Sequence, residues 1–162
     1  MAETNPIRQT DDAARALAQA LLQQARFAAL AVIDPGSGAP MLSRIALATA
    51  ADGRPLSLLS DLAAHSVALK SNPAASLLVG EPGDKGDPLT HPRLTLQCRV
   101  RMVRQDHADH ARLSAHYLAL RPKAQLYAGF SDFFFALFDI DSAFLNAGFG
   151  KAYRLTAADI LS

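Results

Sequence analysis

LSLLSDLAAHSVALKSNP, running from Leu56 to Pro73, is the stretch on which the fold and the function both turn. Leu56, Leu58 and Leu59 form a short apolar run of strand length, Ser60-Asp61 can cap a helix, and Asn72-Pro73 can end it. The local order is therefore strand, cap, helix. A helix starting between Asp61 and His65 presents unpaired backbone N–H groups and the positive end of its dipole close to Ser60, His65 and Ser66. Two hydroxyls and an imidazole at that point can complete an anion cradle without a glycine-rich loop. On these residues alone the plainer reading, a capped surface helix with a solvated histidine, is the favoured one.

On the N-terminal side, Thr10-Asp11-Asp12 can cap a helix whose Ala13, Leu17, Leu21 and Ala25 recur at helical spacing up to Arg26. FAALAVI (Phe27 to Ile33) reads as a buried strand closed by the turn-rich Asp34 to Gly38. Met41 to Ala50 pairs back on it, and Asp52-Gly53 marks a second hairpin into the central stretch. On the C-terminal side, AASLLV (Ala74 to Val79) is the next strand, and the loop Gly80 to Pro92 comes after it. From Arg93 the alternation is strict: Leu94, Leu96, Cys98, Val100 and Met102 face one way, and Arg93, Thr95, Gln97, Arg99 and Arg101 the other. Asp106 to Arg121 reads as a helix, FFFALFDI (Phe133 to Ile140) as a strand, and Ala143 to Leu155 as a closing, glycine-punctuated strand. About six strands at meander spacing, with helices that do not alternate strictly with them, predict a mainly β (α+β) fold. It is a six-stranded antiparallel barrel with flanking helices in one domain over residues 1–162, of which 1–26 form an N-terminal helical segment.

Composition excludes several classes. A net charge of +1 with no long Lys/Arg block leaves no nucleic-acid footprint, and half the residues being hydrophobic excludes disorder. The longest apolar runs fall far short of a membrane span. A single cysteine, Cys98, and a polar N-terminus predict a soluble protein of the reducing cytoplasm. Cys98 lies on the apolar strand face, as a buried thiol would. His107 and His110 have the spacing of two metal ligands on one helix face, but no third ligand accompanies them and no metal site is predicted. His91 reads as a turn residue, and the alternating arginines as a solvated strand face.

LLSDLAAHS (Leu58 to Ser66), GDPLTHPRLTLQCRV (Gly86 to Val100) and AGFGKAYRL (Ala147 to Leu155), in this chain order, resemble the pyridoxamine-phosphate-oxidase-like FMN-binding split barrels. Within these, the resemblance is to the haem-utilisation (HugZ-like) branch, and it runs from about Phe27 to Leu155. It implies an FMN cofactor, a homodimer with flavin at the subunit interface, a small-molecule substrate, and electron transfer between that substrate and FMN. Carried onto this sequence, the first FMN segment is Pro40 to Ile45, giving Ser43, Arg44 and Ile45. Ser43 stands where the oxidases proper carry an arginine. Ser60, Leu62, His65 and Ser66 fall on the phosphate segment, which reverses the plainer reading of that helix start. Gln97 matches a flavin-bonding glutamine next to Cys98, where a glycine is the family pattern, and Phe149 and Lys151 lie in the late motif. No catalytic residue is implied. The Arg-x-His motif of the oxidases proper is missing from GFGKAYRLTAADILS. The resemblance also raises two rivals, a haem-binding or haem-utilisation protein and a noncatalytic flavin module. The haem-utilisation proteins generally continue into a C-terminal extension, so a chain ending at Ser162 is expected to bind haem weakly.

Overall fold

A computed structural model describes residues 5–161. The chain runs β1 (Ile7–Arg8), α1 (Asp12–Gln24), β2 (Phe27–Ile33), β3 (Pro40–Ala46), β4 (Ala48–Thr49), β5 (Pro55–Ser60) and α2 (Ala64–Ser71). It continues through β6 (Ala74–Val79), β7 (Arg93–Val103), α3 (His110–Leu120), β8 (Phe133–Asn146), β9 (Ala152–Thr156) and α4 (Ala157–Leu161). The strands form one sheet in the order β1-β9-β8-β7-β6-β2-β3, while β5 pairs with the first half of β8 and carries β4 on its other side. Every pairing is antiparallel except the two-residue contact of β1 with β9. β3 and β5 face each other without a ladder, so the barrel stays open along that seam. One hydroxyl crosses it, Ser57 Oγ donating to the carbonyl of Ala46 at 2.5 Å.

This is the split barrel expected from the sequence, with nine strands among the described residues instead of six. Two of the extra strands, β1 and β4, are two residues long and below the reach of any periodicity. The region from Ala143 to Leu155 is not one strand. Its first part continues β8, and Gly148 (φ +124°) and Gly150 (φ +69°) turn the chain back into β9. The helix predicted from Asp106 begins only at His110, because residues 106–109 form turns in which Asp109 N donates to His107 Nδ1 at 3.0 Å. No periodicity announced the short α4. Asp159 holds it by accepting from Thr156 N at 2.8 Å and from Arg15 Nε at 2.7 Å.

β8 explains why FFFALF is so apolar. Phe134, Ala136 and Phe138 enter the main core with Leu30, Leu77, Leu96 and Leu145, whereas Phe135 and Leu137 enter a second cluster with Leu56, Leu113 and Tyr117. The strand is covered on both faces, and Phe134, Phe135 and Phe138 are fully buried. Beyond this segment β8 carries a bulge: Gln97 pairs with Ser142 but Cys98 with Ile140, leaving Asp141 extra. Residues facing the main core are even-numbered up to Ile140 and odd-numbered after the bulge, at Ala143 and Leu145. On β7 the predicted alternation holds from Leu94 to Val100, with Met102 partly buried. Cys98 is buried in the core, where burial pushes its thiol up to about 12. Gly80 permits the chain to pass β7, since a Cβ there would lie 2.6 Å from the Pro92 carbonyl oxygen. Among the described residues no helix is long and apolar enough to cross a membrane.

Candidate functional site

The open seam between β3 and β5 widens into a cleft of about 330 Å³. Arg44, Ile45 and Ala46 form one wall, Leu58, Leu59 and Ser60 the other, Ala63 and His65 from the start of α2 close one end, and Tyr127 and Phe133 supply aromatic surface. Strand alternation sorts the first wall: Ile45 is buried, whereas Arg44 points outward and lies 5.4 Å over the ring of Phe27. Tyr127 and Phe133 pack together with ring centroids 5.1 Å apart.

His65 is the polar centre of this cleft. Its Nδ1 lies 3.0 Å from Ser43 Oγ, and its Nε2 is buried with no partner among the described residues. Burial pushes the imidazole below its ordinary value and favours the neutral ring. Ser66, the next residue, is fully buried and its hydroxyl likewise has no partner. Thus two of the three enclosed, unpartnered side-chain polar atoms among the described residues belong to consecutive residues in the first turn of α2. The backbone adds to this. Ser66 N and Val67 N both donate to the Ala63 carbonyl, while the first N–H groups of the helix, at Ala64 and His65, have no intrahelical acceptor.

The residues just before are arranged differently from the expectation. Ser60 and Asp61 do not cap α2, whose N-cap is Ala63 without a side-chain bond. Ser60 Oγ accepts from Leu62 N at 3.1 Å and donates to Asp132 Oδ2 at 2.6 Å. Asp61 is gripped by both terminal nitrogens of Arg104, at 2.7 and 2.9 Å, and by Lys70 Nζ at 2.9 Å, which hold its carboxyl well below the usual carboxylate range. Arg104 also lies 5.1 Å over the ring of Phe134.

Of the sequence-predicted residues, the fold therefore gathers Ser43, Arg44, Ile45, Ser60 and His65 around one cleft. Ser66 is enclosed behind it, and Leu62 is 85 % exposed beside it. It does not bring Gln97, Phe149 or Lys151 there. The register Gln97, Ser76, Ala31, Leu42 puts Gln97 three strands from β3, about 14 Å at the usual strand spacing. Gln97 accepts from Ser142 Oγ at 3.0 Å and borders a separate hollow of about 400 Å³ with Ala31, Ser76 and Asp141. Phe149, 93 % exposed, and Lys151 sit on the β8–β9 turn at the far end of β8 from Phe133. Tyr127, Phe133 and Asp132 were missed from the sequence. The only signal for them was the aromatic and acidic density around Ser131, which says nothing of a partner 72 residues away.

The other histidines serve the fold. His91 Nδ1 accepts from Gly83 N at 3.1 Å and its Nε2 lies 2.7 Å from the Lys85 carbonyl, so it staples its loop as a turn residue would. His116 Nε2 bonds the Thr49 carbonyl at 2.7 Å, and His110 packs on Phe135, its own Nε2 being the third enclosed atom without a partner but away from the cleft lining. Among the described residues no three His, Cys, Asp or Glu side chains are grouped as metal ligands.

Residues 14–141 match the sequence pattern of the pyridoxamine 5'-phosphate oxidase family. The chain belongs to that family. The resemblance read from its motifs is thereby borne out. Non-canonical heme oxygenase HOZ, chloroplastic, of Arabidopsis thaliana is 34 % identical over 121 residues, which are 68 % of this chain and 36 % of that protein. The chain thus spans about a third of the length of this relative. A solved chain 46 % identical superposes with a TM-score of 0.83 over 96 % of this chain and 99 % of its own. The heme binding protein from Mycobacterium smegmatis, 23 % identical, superposes with a TM-score of 0.81 over 96 % of this chain and 62 % of that one, which is a likeness of fold.

Proposed function

We propose that this family member is an FMN-binding flavoprotein, an oxidoreductase passing electrons between a small organic substrate and FMN, with the phosphate of FMN held at the start of α2. The observation that carries the reading is His65: an imidazole lining the cleft in the first helical turn, its Nε2 without a partner. An unpartnered buried polar atom costs roughly 1–3 kcal/mol, so it is kept only where something else offsets it. A phosphate would do so, and the uncommitted N–H groups of Ala64 and His65 and the helix dipole add to the same attraction.

The residues present fit the group with two changes from the expectation, at Ser60 and at the fully buried Ser66, which does not line the cleft. His65, the first N–H groups of α2 and, once released from Phe27, Arg44 would hold the phosphate. Ser60 would not donate, because its proton is committed to Asp132. Ile45, Ala46, Leu58 and Leu59 supply an apolar lining, and Tyr127 and Phe133 an aromatic one that excludes water. The bound flavin supplies the two-electron chemistry in its own ring, so this chain needs to bind, orient and shield it.

Gln97, Phe149 and Lys151 take part in this reading only if a second copy presents them to the cleft, which is one reason to propose a homodimer with the flavin between subunits. The other is the outer sheet face, where Phe27, Leu42 and Leu78 are 39, 72 and 45 % exposed. FFFALF offers no such face, because its side chains are consumed inside one protomer. Haem is the second reading, favoured by the 34 % identity with a protein named as a heme oxygenase. One experiment addresses both: absorption spectra of the purified chain titrated with FMN, riboflavin and haem. The expected result is saturable FMN binding, riboflavin binding weakened by loss of the phosphate contacts, and no stoichiometric Soret band. A tight haem spectrum with no flavin uptake would replace the proposal.

A further inference from the structure

Ser43 and His65 come from strand β3 and helix α2, and the Ser43 hydroxyl meets Nδ1 of the cleft-lining His65 at 3.0 Å. We propose that Ser43 is the positioning residue of this site: its hydroxyl donates to His65 Nδ1, fixes the imidazole as the tautomer with its proton on Nε2, and so reserves a hydrogen-bond donor for an anion at the start of α2.

Donors and acceptors around the ring decide between the tautomers. With the proton on Nε2, the Ser43 hydroxyl donates to Nδ1, and only the Nε2–H is left without a partner. With the proton on Nδ1 the bond reverses, and two groups are stranded: the Ser43 proton, which has no other acceptor among the described residues, and the buried Nε2 lone pair. The first arrangement strands one group fewer, a difference of the order of a hydrogen bond. Nothing nearby opposes it. A carboxylate against His65 would draw it toward the imidazolium, but Asp61 is held by Arg104 and Lys70, and Asp132 takes the proton of Ser60. The guanidinium of Arg44, the next residue on β3, lies on the other side of the strand over Phe27. Burial of His65 adds to the preference for a neutral ring. The site thereby offers an anion a fixed neutral donor where the oxidases proper, on the resemblance, place an arginine at this position of the strand.

The purpose of this arrangement rests on the phosphate reading, but its test does not. Long-range 1H–15N spectra of the full chain labelled at histidine, without ligand at pH 8, report which ring nitrogen carries the proton, His65 being assigned by its loss in His65→Gln. The expected result is a single neutral tautomer with the proton on Nε2. In Ser43→Ala the ring should pass to a mixture of tautomers, and the affinity for inorganic phosphate should fall about three- to tenfold. Ser43→Thr should restore both. A proton on Nδ1 in the unaltered chain, or a ring unchanged in Ser43→Ala, would overturn the assignment, and the first outcome decides even where Ser43→Ala does not fold. The expected tautomer in a chain that binds neither phosphate nor FMN would sink the FMN reading and leave the role of Ser43 standing.

Discussion

Ser60-Asp61 and His65-Ser66 lie six residues apart at most, and the fold treats them in opposite ways. The first pair is saturated: the Ser60 hydroxyl both donates and accepts, and the Asp61 carboxylate meets two cations. The second pair is left wanting, with Nε2 of His65 and Oγ of Ser66 enclosed and unpartnered. A saturated polar group stabilises the fold and has nothing left for a ligand, whereas an unsatisfied one weakens the fold and keeps its capacity. From sequence Ser60, His65 and Ser66 looked like one cradle, with Asp61 beside them as a helix cap. In the structure Ser60 and Asp61 form a brace, and His65 is left as the receptor.

The contrast is sharpest for His65→Ala. FMN affinity should fall by about 1.5–3 kcal/mol, the range for hydrogen bonds to charged groups, or roughly 10- to 150-fold, while riboflavin is unaffected. Fluorescence titration with both ligands checks it, and equal losses for the two would place the phosphate elsewhere. Asp61→Ala should do the reverse, leaving FMN affinity alone and lowering stability by on the order of 1 kcal/mol in urea unfolding, modest because Arg104 and Lys70 are themselves about two-fifths exposed. Ser66→Ala should raise stability by about 0.5–1 kcal/mol, since it removes an enclosed hydroxyl that bonds nothing. A loss there would mean that Ser66 belongs with the brace.

Acid separates the pair by window more than by size. Burial lowers the folded-state value of His65, so the unfolded chain takes up the proton first as pH falls. Its contribution is complete above about pH 6.5 and is lost as pH falls below that. Asp61 is lowered too, by its cations, so its contribution is present above about pH 3.9 and declines only in stronger acid. Urea unfolding between pH 8 and pH 3 should show two sags, the upper absent in His65→Ala and the lower shallower in Asp61→Ala, the rest of it belonging to Asp34, Asp52, Asp139 and Asp159, which their partners also lower. Both sags unchanged in both variants would contradict the assignment.

The sheet was legible wherever one strand face met water. Arg93 to Val103 alternates because its outer arginines are solvated, and the turn at Asp52-Gly53 is visible because Gly53 must take φ +87°. β8 was harder: a strand buried on both faces has no alternation, and its bulge reverses whatever phase there is. In the site, the helix start and its histidine could be read locally, since helix ends and imidazoles carry their chemistry with them. What could not be read was commitment. Nothing in Ser60 announces that Asp132 will claim its proton, nothing in Ser43 announces His65, and nothing in Phe149 or Lys151 announces that the β8–β9 turn lies far from the cleft.

The extra residue in β8, Asp141, makes that strand a text written in two phases. Deleting it would leave every other letter in place and yet reverse the sense of one half, sending Ala143 and Leu145 outward and Phe144 inward, or doing the equivalent to Phe134 through Ile140. A copying error of one codon at this point would therefore be harsher than most substitutions, and an alignment that slides a gap by one position across Asp141 would match solvent-facing residues to core ones. Relatives of this chain are best aligned in two blocks, anchored separately on either side of that aspartate.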